Sequence, residues 1–271
     1  MLLPTLDNRA QPSDPALIEV ANYIVAKPNL DEIIGQYIRQ AFDEVIDGPR
    51  TGRYAISQLE KTEKTYIGTK IEIILRAELG LGRGKKLDNF ICGHEVDTKF
   101  SLSGQWMIPT EASDELCLLV SGDEVKKTCS FGLLRATADM LTVGANQDKK
   151  RTVSSMGKEN AIWFLRNSPM PKNFVLELPN ETRQTILSQR TGKARLHSLF
   201  RNVTGQIIPR SAILQIARSE DPLKRAREAK GILEKDGLLI LCATYAKDRE
   251  LFVRHGFTKF NNNDWLCIDK N

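Results

Sequence analysis

Three side chains in one short stretch could do chemistry together. Asp97 and Lys99 stand two residues apart in Glu95-Val96-Asp97-Thr98-Lys99-Phe100. On a strand, residues two apart share a face, so carboxylate and ammonium lie side by side. Val96, Thr98 and Phe100 then point the other way. Cys92-Gly93-His94 reads as the turn of a hairpin between residues 86–91 and 95–102. A turn centred near Gly93 sets Asp88 roughly opposite Asp97, where facing Cβ atoms lie ~5 Å apart. Two carboxylates that close repel unless a cation bridges them. Mg²⁺ fits, since it prefers hard oxygen ligands, keeps several waters and takes one or two carboxylates plus phosphate oxygens; Mn²⁺ is its substitute. Such a cation lowers the pKa of a bound water and stabilises charge on phosphate. Lys99 would orient or deprotonate that water, or neutralise the developing phosphorane. Glu72, on the preceding predicted helix, offers a third carboxylate for the metal or the water.

Asp88 followed by Asp97-x-Lys99 is the PD-(D/E)xK nuclease pattern. Taken alone it is a short motif, and an exposed charged strand produces the same letters.

The elements that must hold these residues are legible in outline. Residues 15–46 carry helical periodicity, interrupted at Lys27-Pro28-Asn29. A helix over 65–79 has Ile67, Ile71, Ile74, Leu75 and Leu79 as its apolar stripe, and glycines 80, 82 and 84 end it. Strands are expected at 116–121 and 128–134. Residues 139–145 and 156–166 read as helix-rich. The fold class is therefore α/β, a mixed sheet flanked by helices, followed by a smaller domain.

The chain has 271 residues, 41% hydrophobic and 27% charged, which excludes a disordered or collagen-like polymer. Five cysteines without a CxxC pair argue against a zinc ribbon or a disulfide framework and for a reducing, cytoplasmic setting. Three histidines and no HExxH leave no histidine-rich zinc site. No export signal or membrane span is expected, the longest apolar run being 238–243. The segment 80–86 lacks the residues of a phosphate loop or a GxGxxG turn, so no nucleotide site is expected.

Charge is unevenly placed. Residues 1–166 hold 21 basic and 23 acidic side chains, whereas 167–271 hold 18 and 11, a net +7. The second half suits a polyanion. Two prolines in Asn167-Ser168-Pro169-Met170-Pro171-Lys172-Asn173 mark a linker, giving domains 1–166 and 174–271 joined by 167–173.

The second domain reads as a winged helix. Helices are expected at 195–203 and 210–218, and a third starts at Pro222 behind Ser219-Glu220-Asp221. The third carries Lys224, Arg225, Arg227 and Lys230, and a strand at 238–242 follows Gly237. Helix, helix, basic helix and strand is the order of a helix-turn-helix, whose basic helix would enter the major groove. Arg218 precedes that helix and joins the DNA-binding candidates. So do Arg50, Arg53, Lys61 and Lys64, placed to grip phosphates just before the catalytic helix. Asn261-Asn262-Asn263-Asp264 looks like a hairpin turn, a candidate wing, with 265–268 as the returning strand. Gln105 and Trp106 follow the catalytic strand, where base-reading groups would lie; Trp106 equally suits the core.

Longer strings are more specific. Asp47-Gly48-Pro49-Arg50-Thr51-Gly52-Arg53, Gln58-Leu59-Glu60-Lys61-Thr62-Glu63-Lys64-Thr65, Gly68-Thr69 with Glu72-Ile73, and the hairpin from Asp88 to Phe100 resemble the NaeI family of restriction endonucleases. The spacing Glu72–Asp88–Asp97–Lys99 is similar too. The likeness continues more weakly through Gly192-Lys193-Ala194-Arg195 and 231–241, and is lost over 252–271. The resemblance implies a prokaryotic homodimer of two-domain subunits. The first domain would cut double-stranded DNA with Mg²⁺, through Glu72, Asp88, Asp97 and Lys99. The second would be a CAP-like winged helix, and of two DNA copies bound, one would act as effector. The family segment likened to the KxDG nucleotidyl-lysine motif of ligases reads Val45-Ile46-Asp47-Gly48 here. Valine cannot form a phosphoramide, so no adenylylation is expected and Asp47-Gly48 reads as a turn. Two alternatives stay open: a nicking repair endonuclease of the MutH kind, and a DNA-binding protein that does not cut.

Overall fold

The computed structural model describes residues 14–270. They form two compact units, 14–45 with 60–171 and 46–59 with 172–270. The chain passes between these units at 45/46, 59/60 and 171/172, so residues 46–59, read from sequence as part of a first domain over 1–166, group with 172–270.

In the first unit, α1 (Pro15–Val25) starts at Asp14, whose Oδ1 accepts the Leu17 N–H at 3.0 Å. Its break from α2 (Leu30–Ile46) falls at Asn29, a left-handed residue with φ 52°. A short helix α3 (Gly48–Thr51) belongs to the other unit. Helix α4 (Lys61–Glu78) begins four residues before the expected 65. Its first turn is polar, so an apolar stripe could not reveal it; the Glu60 N–H instead donates to the Glu63 carboxylate at 3.0 Å.

The strands are β1 (Gly82–Arg83), β2 (Asn89–Ile91), β3 (His94–Ser101), β4 (Met107–Ile108), β5 (Leu116–Asp123), β6 (Thr128–Arg135), β7 (Leu141–Ala145) and β8 (Arg151–Val153). After the short helix α5 (Ser155–Asn160) comes β9 (Ile162–Pro169). Six of them form a mixed sheet in the order β1-β2-β3-β5-β6-β9, parallel only between β3 and β5. A second sheet has the order β4-β8-β7. Two expectations fail here. Residues 139–145 are a 3₁₀ turn and then β7, and 156–166 are α5 and then β9. The apolar run Ile162-Trp163-Phe164-Leu165 has neither period, and pairing with β6 decides it.

The large sheet has two unlike faces. Phe100 meets Phe42 of α2 edge-on at 6.0 Å. A β-carbon on Gly122 would lie 2.6 Å from Ile38 Cγ2, so glycine there lets α2 seat on the sheet. Helices thus cover the face of Val96, Thr98 and Phe100. On the opposite face, Cys117, Leu119 and Leu134 form a buried cluster with Trp106, Ile108, Leu141 and Val153 of the second sheet and its approaches. The Trp106 Nε1–H donates to the Val120 carbonyl at 2.7 Å, so this residue is core.

The second unit contains α6 (Phe174–Glu177), α7 (Asn180–Leu187), α8 (Gly192–Asn202), β10 (Ile207–Ile208), α9 (Arg210–Ala217), α10 (Pro222–Leu233), β11 (Leu238–Cys242), α11 (Ala246–Arg254) and β12 (Trp265–Asp269). Its core joins Leu196, Leu199 and Phe200 of α8 to Ile213, Ile216, Ala226, Ala229 and Trp265. Asp221 caps α10 by accepting the Lys224 N–H at 3.0 Å, as its position before Pro222 suggests. Strand β12 returns antiparallel between β10 and β11. The 261–264 turn exists, with the Asn261 N–H on Asp264 Oδ2 at 2.8 Å. It does not link β11 directly to β12, because α11 intervenes. Among the described residues no helix is long and apolar enough to cross a membrane.

The glycines of the 47–53 string are structural within this unit. A β-carbon on Gly48 would lie 2.9 Å from the Arg53 carbonyl oxygen and overlap Gln215 Cγ. Gly52 has φ +74° and lies against the Arg218 guanidinium, whose Nη2 donates to the Gly52 carbonyl at 2.7 Å. Gly48→Ala and Gly52→Ala should each lower stability by about 1–3 kcal/mol, read as a reduced urea midpoint. A midpoint unchanged in both would remove the packing role.

Candidate active site

The sequence Cys92-Gly93 makes the turn that sets the site. Both residues have positive φ, 52° and 87°, the signature of a two-residue hairpin whose twist matches its strands. The resulting register pairs Ile91 with His94, Phe90 with Glu95 and Asn89 with Val96. Continued one step, it sets Asp88 opposite Asp97.

The two carboxylates meet at one amide. The Thr98 N–H donates to Asp88 Oδ2 at 2.8 Å and to Asp97 Oδ1 at 3.1 Å. The Lys99 Nζ stands 2.7 Å from Asp97 Oδ2. That oxygen is sealed from solvent and accepts no well-aligned hydrogen bond. The Asp97 side chain is 5% exposed and the Lys99 side chain 24%, so the ammonium forms the open edge of a largely buried group.

Electrostatics follow from this crowding. Burial pushes the Asp97 carboxyl up to about 7; sharing hydrogen-bonding space with Asp88 pushes the same way, and Lys99 pulls against both. Burial opposes the Lys99 charge, but the carboxylates of Asp97 and Asp88 outweigh it and hold the ammonium above its ordinary range. Beneath them, Cys117 pairs in register with Asp97, and burial drives its thiol far above the usual range. It is not a nucleophile.

Glu72 stands apart from this group. It pairs with Arg76 one turn along α4. The Arg76 Nε reaches Asn89 Oδ1 at 3.4 Å, and Asn89 Nδ2 donates to Thr98 Oγ1 at 2.8 Å. Glu72 thus meets the site through Arg76 and Asn89, on the helix-covered face of the sheet. Among the described residues no three His, Cys, Asp or Glu side chains gather in a metal-holding cluster. The three acids expected at the metal are here a pair, Asp88 and Asp97. The sequence reading missed Arg76 and Asn89. The spacing of Arg76 four residues after Glu72 was the available signal.

That pair still suits a hard divalent cation. Two carboxylates converge on one donor, and the buried Asp97 Oδ2 has the Lys99 ammonium beside it but no well-aligned hydrogen bond. One or two carboxylates with retained waters is a usual Mg²⁺ complement.

The basic candidates separate into groups. Lys61 and Lys64 lie in the first turn of α4 and make no ion pair among the described residues. Arg50 and Arg53 belong to the second unit. Arg50 is exposed and pairs with Asp47, and Arg53 accepts the Gln215 amide through its carbonyl at 3.2 Å. Arg218 is a left-handed helix cap bound to Gly52. On α10, Arg225 pairs with Glu228 at 2.9 Å, and Lys230 is held by Asp248 at 2.6 Å. Lys224 and Arg227 are exposed on the same helix. Gln105 is exposed and accepts from Lys158 Nζ at 3.3 Å.

A mixed sheet flanked by helices, with an acid–acid–lysine hairpin on one strand pair, has the architecture of a restriction-endonuclease-like fold. The family described as "Restriction endonuclease NaeI" matches residues 19–268. The chain is also 34% identical over 243 residues to the Type II restriction enzyme NaeI of Lentzea aerocolonigenes, spanning 86% of this chain and 76% of that protein. The chain belongs to the NaeI restriction endonuclease family.

Proposed function

We propose that this chain is a Mg²⁺-dependent type II restriction endonuclease that hydrolyses phosphodiester bonds of double-stranded DNA at a specific sequence. The observation that carries the reading is the convergence of Asp88 and Asp97 on the Thr98 amide with Lys99 at 2.7 Å. We read this grouping as a PD-(D/E)xK arrangement. Asp88 and Asp97 would hold the metal, which when bound supplies a more acidic water and charge stabilisation at the scissile phosphate. Lys99 Nζ would orient the attacking water and neutralise charge developing on phosphate oxygens. Arg76 and Asn89 hold Thr98, and through its amide the two carboxylates. Glu72 acts on the site by fixing Arg76.

The second unit supports a winged-helix DNA-binding reading through its order of elements, its charge of +7 over 167–271 and the exposed Lys224 and Arg227 of α10. We assign it a second, effector duplex, and the chain a cytoplasmic homodimer.

The test is digestion of methylated and unmethylated plasmid DNA with Mg²⁺, Mn²⁺ or EDTA. Discrete metal-dependent double-strand fragments support the reading. Nicked circles alone would favour a nicking repair enzyme, and binding without cutting a non-cleaving DNA binder.

Metal binding is checked separately. At about a hundredfold excess over Kd, Mg²⁺ should raise the melting temperature by roughly 5–10 °C, and Asp97→Ala should abolish the shift. A shift that survives in the variant would place the metal elsewhere.

A further inference from the structure

The hairpin between β7 and β8 is built like an arm. Its base is buried, Leu141 being 4% and Val153 1% exposed. From Thr142 to Lys149 every residue is exposed, and Val143 stands 99% in solvent. The register slips between Leu141 and Ala145, so β7 carries extra residues and bulges outward at Val143. An exposed ribbon with an apolar residue at its crest has no core to stabilise it.

Side-chain hydrogen bonds nevertheless tie its base and its tip. The Arg151 guanidinium donates to the Thr142 carbonyl at 2.5 Å, the Ala138 carbonyl at 2.9 Å and the Leu141 carbonyl at 3.3 Å. Asn146 closes the tip by accepting the Lys150 N–H on its side chain at 2.8 Å. Gln147, Asp148 and Lys149 lie exposed within the turn so closed.

The arm is mounted on the catalytic face. Leu141 and Val153 pack in one cluster with Cys117 and Leu119. Those two are the register partners of Asp97 and Lys99, so all four project from one face of the large sheet. Charge complements a nucleic acid, with Lys149 and Lys150 against Asp148 alone. The major groove of B-DNA admits a two-stranded ribbon. An amide side chain can pair with adenine there, and an apolar one can meet the thymine methyl.

We propose that the β7–β8 arm enters the major groove of the duplex to be cut and reads its sequence, with Val143 and Gln147 on base edges and Lys149 and Lys150 on the flanking phosphates. The assignment rests on the nuclease reading of the same unit, and it names the specificity element of that site.

The test uses the full chain with Val143→Cys in a Cys92→Ser background, since Cys92 is the exposed native cysteine. Iodoacetamide labelling is followed with and without fragmented plasmid DNA. DNA should slow labelling at position 143 by about tenfold or more, and Gln147→Ala should relax the preference among sequenced cut ends at one base pair by a similar factor, the scale of one lost bidentate contact. If wild type cuts while labelling and base preference are both unchanged, the arm does not read DNA. Protection that depends on protein concentration without DNA would make the arm an interface between copies, and also overturns the proposal. Protection by DNA with no cutting by wild type would uphold the arm and overturn the nuclease reading instead.

Discussion

Lys99→Ala should slow DNA cleavage by about 10²–10⁴-fold, the range spanned by losing one acid–base or charge-stabilising group. Duplex binding should survive, because the ammonium faces Asp97 at 2.7 Å inside the site and is 24% exposed. Two effects add. The positive group that would neutralise phosphate oxygens is gone, and Asp97 loses the neighbouring charge that favours its ionised form. Lys99→Arg should rescue little, since a planar guanidinium cannot take the place of a compact ammonium between Asp97 and solvent. Single-turnover cleavage beside a gel shift decides it. A variant cutting within about tenfold of wild type would remove Lys99 from the chemistry.

The second large effect is on pH. At limiting metal, cleavage should fall about tenfold per pH unit below about 7, because Asp97 is then protonated and an uncharged carboxyl is a poor ligand. Above that value the rate should level off. Raising the metal concentration should move the midpoint to lower pH, since cation and proton compete for one group. Stability gives an independent check of sign. Between the ordinary 3.8 and about 7 the folded protein keeps a proton that the unfolded chain has released. The metal-free fold is therefore favoured below this window and loses stability as pH rises through it. Asp97→Asn should flatten that slope. A pH–rate profile that is flat from 5 to 8 at every metal concentration would show that another step limits the reaction.

The acidic hairpin was legible because its determinants are local. Asp97 and Lys99 share a face by the period of a strand, and Cys92-Gly93 sets the register that faces Asp88 with Asp97. Strands β5 and β6 and helices α8 to α10 were equally local, written in apolar periodicity and cap residues. Where neighbours distant in sequence decide, the reading failed. Ile162–Leu165 suits helix or strand until β6 pairs with it. Nothing near Gly48 announces Gln215, and nothing near Gly52 announces Arg218, more than 160 residues on. That distance hides the grouping of Arg50 and Arg53 with the second unit. Glu72 lies on its expected helix, and the spacing to Arg76 four residues on was the one local sign that the two would pair. Helix α11, with few apolar residues, left too faint a stripe to find.

The excursion of residues 46–59 makes the chain pass between its units at 45/46, 59/60 and 171/172. The second unit is therefore not a cassette that one cut or one gene fusion can lift out. A fragment ending at 171 would keep Gly48 and Gly52 but lose Gln215 and Arg218, and one starting at 172 would be a ligandless socket for the missing loop. Such threading ties the inheritance of the two halves together. A crossover at 59/60 divides both units, one at 45/46 divides the first and one at 171/172 divides the second, so no single junction exchanges one unit whole while leaving the other whole.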